Sequence, residues 1–325
     1  MTTTLDVREL CTSFGAVRAV DRVSFSLKAG EVLGLVGESG SGKSVTGFSI
    51  IRLLDRPGRI SGGRILFQGR DLALETDEGM RKLRGNRIAM IFQDPMMTLN
   101  PVLRIDTQMV EAVRAHQQVS VADARNQARD ALGMVGIPSP EERLAAYPHQ
   151  FSGGMRQRVA IAIALLHNPD LIIADEPTTA LDVTIQAQIL SEVQRLVRER
   201  NTSLIWITHD LSVVAGLADR VAVMYSGRIV EHGPTDPVLD HALHPYTHGL
   251  IGSVPSRNRR GQRLTQIPGT TMSLDRRPAG CPFHTRCFRA QEICRTEPPL
   301  VSRGSDHTAL CFFPLAGAVR TEALQ

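Results

Sequence analysis

The sequence is poor in aromatic side chains, which make up 4% of its 325 residues and include a single tryptophan. Its charge is nearly balanced, with 37 basic and 33 acidic side chains and a net charge of +4. Proteins that bind single-stranded nucleic acid combine stacking aromatic rings with a strongly basic groove. The composition therefore argues against a nucleic-acid partner.

Long apolar runs are also missing, because no stretch approaches the ~18 consecutive apolar residues of a membrane-spanning helix. The most apolar segments, 159–166 and 171–174, have the length of elements in a protein core. The N-terminal segment MTTTLDVREL has no basic start followed by an apolar run, as a secretory signal would have. We expect a cytoplasmic chain of one to three domains that reaches a membrane only through a partner.

The strongest local signal is the segment EVLGLVGESGSGKSVTGFSIIRLL. Residues 31–36 have strand character, 37–44 fit the phosphate-binding loop pattern G-x-x-x-x-G-K-[ST] (the P-loop), and 45–54 have helical apolar spacing. Glycines let the loop turn its N–H groups toward phosphate oxygens, and the helix N-terminus attracts the same anion. In such a loop the lysine reaches the β- and γ-phosphates, and the last serine holds Mg²⁺. The predicted nucleotide ligands are Gly37, Ser39, Gly40, Ser41, Gly42, Lys43 and Ser44.

A second candidate segment is LIIADEP at 171–177, where four apolar residues precede two carboxylates. Such a run predicts a buried strand, and carboxyl ends of strands are where open α/β sheets bind ligands. We expect Asp175 to hold Mg²⁺, directly or through water, and Glu176 to polarise the attacking water as a general base.

Further motifs follow in a characteristic order: Gln93 in IFQDP, FSGGMRQR at 151–158, ALD at 180–182, and THD with His209. Together with the P-loop and LIIADEP, they resemble the ATP-binding subunit of an ABC transporter over roughly residues 5–235. The SGG sequence is the most diagnostic part, because it opens a helix as a second phosphate-binding N-terminus. Phe151 and Met155 depart from the commoner LSGGQ, but Ser152, Gly153 and Gly154 are kept. We therefore expect activity to be retained.

The resemblance implies that two such subunits sandwich each ATP, with the P-loop of one facing the SGG segment of the other. It implies that Gln93 contacts Mg²⁺ at a hinge and that His209 contacts the γ-phosphate and stabilises the transition state. Asp182 matches a loop that signals across the dimer, a position that also fits a helix N-cap. Phe14 lies where the family stacks an aromatic ring on adenine, and its position favours this role over the alternative of a core residue.

The C-terminal third contains HPYTHGLIGSVP and GCPFHTRC. These segments resemble the extension on ATP-binding subunits of oligopeptide and dipeptide importers, a group that includes nickel-peptide systems. The resemblance implies two transmembrane permease subunits as partners, an extracytoplasmic peptide-binding protein as an indirect partner, and a peripheral location on the cytoplasmic membrane face. One P-loop without an internal repeat means that a second copy or a homologous subunit completes the dimer.

Four of the five cysteines, Cys281, Cys287, Cys294 and Cys311, fall in this extension. Their spacing does not match the C-x₂-C pairs of zinc ribbons or the run of bacterial ferredoxins. Disulfides are rare in a reducing compartment, so either a metal or a packing role remains. Four thiolates suit Zn²⁺ or a [4Fe–4S] cluster, and in a zinc site His284 and His307 are candidates to take the place of cysteines as ligands. The family resemblance favours [4Fe–4S], in a structural or docking role.

The motifs and the resemblance together imply an α/β fold, with a P-loop NTPase core of the ABC ATPase type at 1–94 and 159–235. An inserted helical signature subdomain is predicted at 95–158, and a cysteine-containing C-terminal extension at 236–325. The predicted function is ATP hydrolysis for peptide import. Alternatives are transport of nickel or another small solute and a non-transport ABC ATPase.

Overall fold

A computed structural model describes residues 2–178, 183–254 and 266–315, together with the backbone of 319–320. The strands are β1 Thr3–Phe14, β2 Val17–Lys28, β3 Val32–Val36, β4 Gly58–Phe67, β5 Arg70–Asp71, β6 Ile88–Ile91, β7 Leu171–Asp175, β8 Ser203–Thr208, β9 Arg220–Tyr225, β10 Arg228–Pro234, β11 Leu300–Arg303, β12 His307–Leu310 and β13 Val319–Arg320. The helices are α1 Lys43–Ile50, α2 Asp77–Leu83, α3 Ile105–Arg114, α4 Val121–Met134, α5 Pro140–Leu144, α6 Gly153–Leu165, α7 Val183–Arg200, α8 Leu211–Leu217, α9 Thr235–Asp240 and α10 Pro245–Gly252.

The chain divides into two compact units. The first consists of Met1–Thr4, Lys28–Glu31 and Leu74–Ile205, and the second of Leu5–Leu27, Val32–Ala73 and Trp206–Gln325. The P-loop and the cysteine-containing extension therefore belong to the same unit. The segments FSGGM and LIIADEP belong to the other.

The second unit is built on two runs of strands. In one run β3, which is buried along its whole length, pairs in parallel with β9, and β9 pairs antiparallel with β10. The extension continues this run, because β12 pairs with β10, and β11 pairs with both β12 and β13. The other run has the order β2-β1-β4-β5, with buried cross-strand neighbours such as Val7 and Ile65.

The first unit combines the parallel strands β6 and β7 with the helices α3 to α6. The apolar positions of α3 and α4 recur every three or four residues, which places them on one buried face. On α3 these are Ile105, Met109 and Val113, and on α4 they include Ala128 and Leu132. Buried parallel strands alternating with helices confirm the predicted α/β fold. Among the described residues, no helix has the length and apolarity needed to cross a membrane.

Candidate nucleotide-binding site

The P-loop connects β3 to α1, in the predicted order of strand, loop and helix. Gly37, Gly40 and Gly42 all have positive φ angles, which glycine adopts without the steric cost that a Cβ would add. Gly42 is the N-cap of α1, no side chain caps this end, and its first turn carries no acidic residue. The positive end of α1 is therefore available to an anion.

Two side chains of the P-loop are buried polar groups. Lys43 is 4% exposed, and its ammonium donates to the carbonyls of Gly37 (2.8 Å) and Glu38 (2.9 Å). The Ser41 hydroxyl is buried and has no hydrogen-bond partner within the described part of the chain. A buried polar atom without a partner is costly, so this hydroxyl is suited to a polar ligand. Ser39 and Gly40 are exposed at the tip of the loop.

The carboxylates of LIIADEP lie at the end of β7, as predicted. Asp175 is 5% exposed and is the last residue of this buried strand. Glu176 follows with φ +44°, a conformation that non-glycine residues adopt rarely and that occurs often at functional sites. Gln93 lies next to Glu176: the Gln93 side-chain amide nitrogen is 3.5 Å from a Glu176 carboxylate oxygen.

The SGG segment forms the N-terminus of α6. Ser152 is the N-cap and accepts a hydrogen bond from the Met155 backbone N–H (3.3 Å), and the first turn has no acidic residue. Ser152 and Gly153 are exposed, and a Cβ on Gly154 would lie 2.8 Å from the Ile185 side chain. This end of α6 is a second helix terminus suited to an anion. Phe151, which departs from LSGGQ, is buried.

Two other predicted residues, His209 and Phe14, lie at the ends of strands. His209 is exposed directly after β8, and the adjacent Asp210 caps α8 by accepting from the Ser212 N–H (2.8 Å). Phe14 ends β1, where its ring packs on Gly58, since a Cβ added there would come within 2.6 Å of the ring. Asp182 lies outside the described residues.

The four cysteines of the extension are free thiols around one small cavity. Cys287 accepts a hydrogen bond from the Arg289 N–H (3.4 Å), and Cys311 accepts one from the Phe313 N–H (3.3 Å). The cavity measures about 10 Å³, which is about the space of one water molecule.

As packed, Cys281, Cys287 and Cys311 favour the protonated form of the thiol. Burial raises the pKa of Cys281 to about 12 and that of Cys311 to about 11, and it also raises the pKa of Cys287. Among the described residues, no group of three or more histidine, cysteine or acidic side chains is arranged to hold a metal ion. The donor set suits a metal, but the cavity as packed is too narrow for one.

The two histidines considered as zinc ligands have other surroundings. His284 lines the cavity, and its Nδ1 lies 2.8 Å from the Cys281 carbonyl oxygen. His307 is not among the residues that line the cavity, and its Nε2 is hydrogen-bonded to a Glu231 carboxylate oxygen (2.7 Å). This hydrogen bond joins the paired strands β10 and β12, so in this structure His307 does not contribute to a zinc site with the cysteines.

Sequence reasoning missed the surroundings of Glu38, the second residue of the P-loop. Its carboxylate is paired with Arg286, and its backbone N–H donates to the Tyr246 hydroxyl. Tyr246 and Arg286 belong to HPYTHGL and GCPFHTRC, which were singled out as motifs without a structural role. Partners more than 200 positions apart leave no local pattern that would identify them.

Two family models match the sequence. One, described as ABC transporter, covers residues 20–179, and the other, described as the C-terminal region of oligopeptide/dipeptide transporters, covers residues 230–294. Among solved structures, the ATP-binding cassette MJ0796 bound to ADP and Pi has a TM-score of 0.64 and 26% identity, covering 71% of this chain and 98% of that one. CbiO1 from Clostridium perfringens, part of a cbiONQ transporter complex, has the same TM-score with 28% identity, covering 74% and 92%.

Curated relatives match along nearly the whole chain. The oligopeptide transport ATP-binding protein OppD of Escherichia coli is 48% identical, with 96% of this chain and 93% of the relative covered. The dipeptide transport ATP-binding protein DppD of Bacillus subtilis is 50% identical, with 95% and 94% covered. This degree of similarity confirms the resemblance and the fold class predicted from the motifs. The chain belongs to the ABC transporter family of ATP-binding proteins, in the group that carries the oligopeptide/dipeptide C-terminal region.

Proposed function

We propose that this chain is the ATP-hydrolysing subunit of a peptide importer, acting peripherally at the cytoplasmic membrane face on two permease subunits. The similarity to OppD and DppD over nearly the whole chain carries this proposal. The chemistry fits, since the first turns of α1 and α6 both lack acidic residues; α1 follows a glycine-containing loop, and α6 itself begins with two glycines. The predicted domain boundaries, at 94, 158 and 235, form part of the proposal.

In the proposed reaction, Lys43 and the loop N–H groups bind the β- and γ-phosphates, and Ser41 gains a polar partner. The Ser44 hydroxyl, Asp175 and Gln93 would hold Mg²⁺, which neutralises charge on the phosphates when bound. Oxygen donors of this kind are those that Mg²⁺ prefers, and the burial of Asp175 restricts its orientation.

Glu176 acts as the general base that orients the attacking water, and Gln93 lies close enough to hold its carboxylate. His209 stabilises charge on the γ-phosphate, and Phe14 stacks on the adenine. Ser152, Gly153 and Gly154 face the γ-phosphate bound by a second ATPase subunit, either a copy of this chain or a homologue. Asp182 contributes to signalling between the two subunits.

Two substitutions test the ATPase. Lys43→Ala removes the cation that pairs with the phosphates, and we expect the Kd for ATP to rise about 10-fold or more, measured by equilibrium titration. Glu176→Gln keeps the shape of the side chain but removes the base, and we expect kcat to fall by about 10²–10⁴-fold with ATP binding kept. Unchanged affinity in the first variant, or normal turnover in the second, would contradict the assigned roles.

Transport is tested in cells that carry Glu176→Gln as their only copy. We expect uptake of labelled di- and oligopeptides to be lost, because closing and reopening of the ATPase dimer drives the permeases. The matched control is uptake of labelled nickel ion. Loss of nickel uptake with peptide uptake intact would favour the small-solute alternative, and loss of neither would favour a non-transport ATPase.

We further propose that the four cysteines of the extension hold a [4Fe–4S] cluster. All four line one cavity, and two of the sulfurs, those of Cys287 and Cys311, accept a hydrogen bond from the backbone N–H of the residue two positions later, as sulfurs around such clusters do. The water-sized cavity means that the side chains would have to rotate outward to admit it. About four iron and four sulfide per anaerobically purified chain, lost in Cys287→Ser, is the expected result. If the purified protein holds one zinc per chain, the cysteines bind zinc in place of the cluster. If it holds no metal, the cysteines serve only as packing residues.

A further inference from the structure

Glu38 is bonded to neighbours through each of its polar groups. Its backbone N–H donates to the Tyr246 hydroxyl (2.9 Å), and its carbonyl accepts from the Lys43 ammonium (2.9 Å). Its carboxylate accepts two bonds from the Arg286 guanidinium, at 2.8 and 3.1 Å, and one from the Thr271 hydroxyl. Lys43 belongs to the P-loop itself, whereas Tyr246, Thr271 and Arg286 all come from the C-terminal part of the second unit.

The Arg286 guanidinium is also fixed by contacts other than Glu38. It is 8% exposed, its Nε donates to the Pro268 carbonyl (2.9 Å), and its Nη1 lies 3.3 Å from the Tyr225 hydroxyl. The guanidinium lies over the rings of Tyr225 and Phe283, at 5.8 and 5.9 Å from their centroids. Burial alone would raise the pKa of Glu38, but the bonds from Arg286 and Thr271 lower it overall, so the pair is ionic.

The position of Arg286 is set by the cysteine-lined core. It ends the 3₁₀ turn His284–Arg286, directly before Cys287, and its N–H donates to the Phe283 carbonyl (3.0 Å). Phe283 packs in one apolar cluster with Cys281 and Cys294. A change in how the cysteines pack would therefore move the guanidinium that binds Glu38.

We propose that Arg286 is a positioning residue for nucleotide binding. From the C-terminal extension, it fixes the conformation of the P-loop by its two hydrogen bonds to the Glu38 carboxylate. A buried bidentate pair sets the orientation of both planar groups. The Glu38 carbonyl is one of two that bind the Lys43 ammonium, so rotation of Glu38 shifts the cation that meets the phosphates. The extension thereby tunes phosphate affinity without contacting the nucleotide. This inference rests on the proposed function.

The test is equilibrium titration of the full-length protein with the fluorescent nucleotide mant-ATP. We expect Arg286→Met and Glu38→Gln each to raise its Kd by about 10-fold, in the range typical of coupling between sites. The double variant should also lose about 10-fold, because the two residues act through one contact. Because Arg286 acts on phosphate binding through Glu38 and does not touch the reacting atoms, Arg286→Met should change kcat at saturating ATP by a smaller factor than it changes Kd. Independent effects that multiply to about 100-fold would overturn the inference.

Arg277→Met is the matched control, since Arg277 is another largely buried arginine of the extension. Its described bonds reach Asp21 (3.3 Å) and the Ser226 carbonyl (3.0 Å). We expect it to lower the melting temperature as Arg286→Met does, but to change Kd by no more than ~2-fold. If Arg286→Met lowers the melting temperature and leaves Kd unchanged, Arg286 is structural only and the inference fails.

Two more variants keep the outcomes separate. Arg286→Lys keeps the positive charge but cannot form the two parallel hydrogen bonds of a guanidinium, so it should raise Kd by less than Arg286→Met does. If the Arg286→Met protein does not fold, Arg286→Lys takes its place in the titration. If Lys43→Ala binds mant-ATP as tightly as the wild type, the proposed function itself fails. If Lys43→Ala loses binding while Arg286→Lys, Arg286→Met and Glu38→Gln do not, only the positioning role of Arg286 fails.

Discussion

Two glycines of the P-loop form a matched pair for substitution by alanine. A Cβ on Gly37 would lie 2.2 Å from the Met224 carbonyl oxygen and 2.9 Å from the Ser41 hydroxyl. A Cβ on Gly40 would have no atom within 4 Å. Both residues have positive φ angles, +155° and +75°. Both substitutions therefore strain the backbone, but only the Cβ of Gly37→Ala collides with neighbouring atoms.

The structure sets the size of each effect. Strain at a positive φ costs roughly 1–2 kcal/mol, and this is the whole effect that we expect for Gly40→Ala. For Gly37→Ala, overpacking adds about 1–3 kcal/mol. Met224 lies in β9, which pairs in parallel with β3, so its carbonyl cannot turn away without moving the strand. We expect a total of about 2–5 kcal/mol for Gly37→Ala.

The assay is thermal unfolding without nucleotide, followed by ATP titration of the variants that fold. At about 2–4 °C per kcal/mol, Gly37→Ala should lower the Tm by roughly 4–20 °C and Gly40→Ala by roughly 2–8 °C. ATP binding should be lost in Gly37→Ala, because displacing Gly37 also displaces a carbonyl that binds Lys43. Equal Tm values for the two variants would refute the collision argument.

Two further predictions concern helix caps and buried histidines. Ser152→Ala and Ser120→Ala each remove an N-cap bond, to Met155 and Asp123, and should each cost ~1 kcal/mol in thermal unfolding. Only Ser152→Ala should also lower ATPase activity, and equal activity losses would contradict the phosphate role of Ser152. Burial lowers the pKa of His244 to about 3 and that of His232 to about 4, so below pH ~6.5 the unfolded state takes up protons that the native state does not. Stability should therefore fall with pH by about 2 kcal/mol per histidine at pH 5, and His232→Gln should flatten this dependence in urea titrations.

The strands around the P-loop and LIIADEP could be predicted because buried parallel strands are continuous apolar runs. Residues 32–36 and 171–175 are buried throughout, and the sequence patterns indicate both. The helical apolar spacing of residues 45–54 extends past the end of α1. The helix stops at Ile50, and the positive φ of Arg52 turns the chain away although the apolar spacing continues.

The contacts of the extension could not be predicted in the same way. The sequence places four cysteines close together, but their surroundings depend on Phe312, Phe313 and on His244 from the start of α10. The Arg286–Glu38 pair joins residues that are 248 positions apart. Such a pairing follows from packing of the whole second unit, and neither hydrophobic periodicity nor motif spacing contains it.

Glu231 indicates that the extension is an integral part of the nucleotide-binding unit. This residue of β10 is 1% exposed, and its carboxylate accepts the N–H groups of Leu243 (2.7 Å) and His244 (2.8 Å) and bonds His307 (2.7 Å). A buried carboxylate is tolerated only when partners replace its lost hydration, and here all three partners come from residues beyond 235. Because β10 pairs directly with β9, and β9 with β3, the same strands that carry this carboxylate also support the P-loop. The extension and the loop are therefore coupled through the strands from one side and through Arg286 and Glu38 from the other.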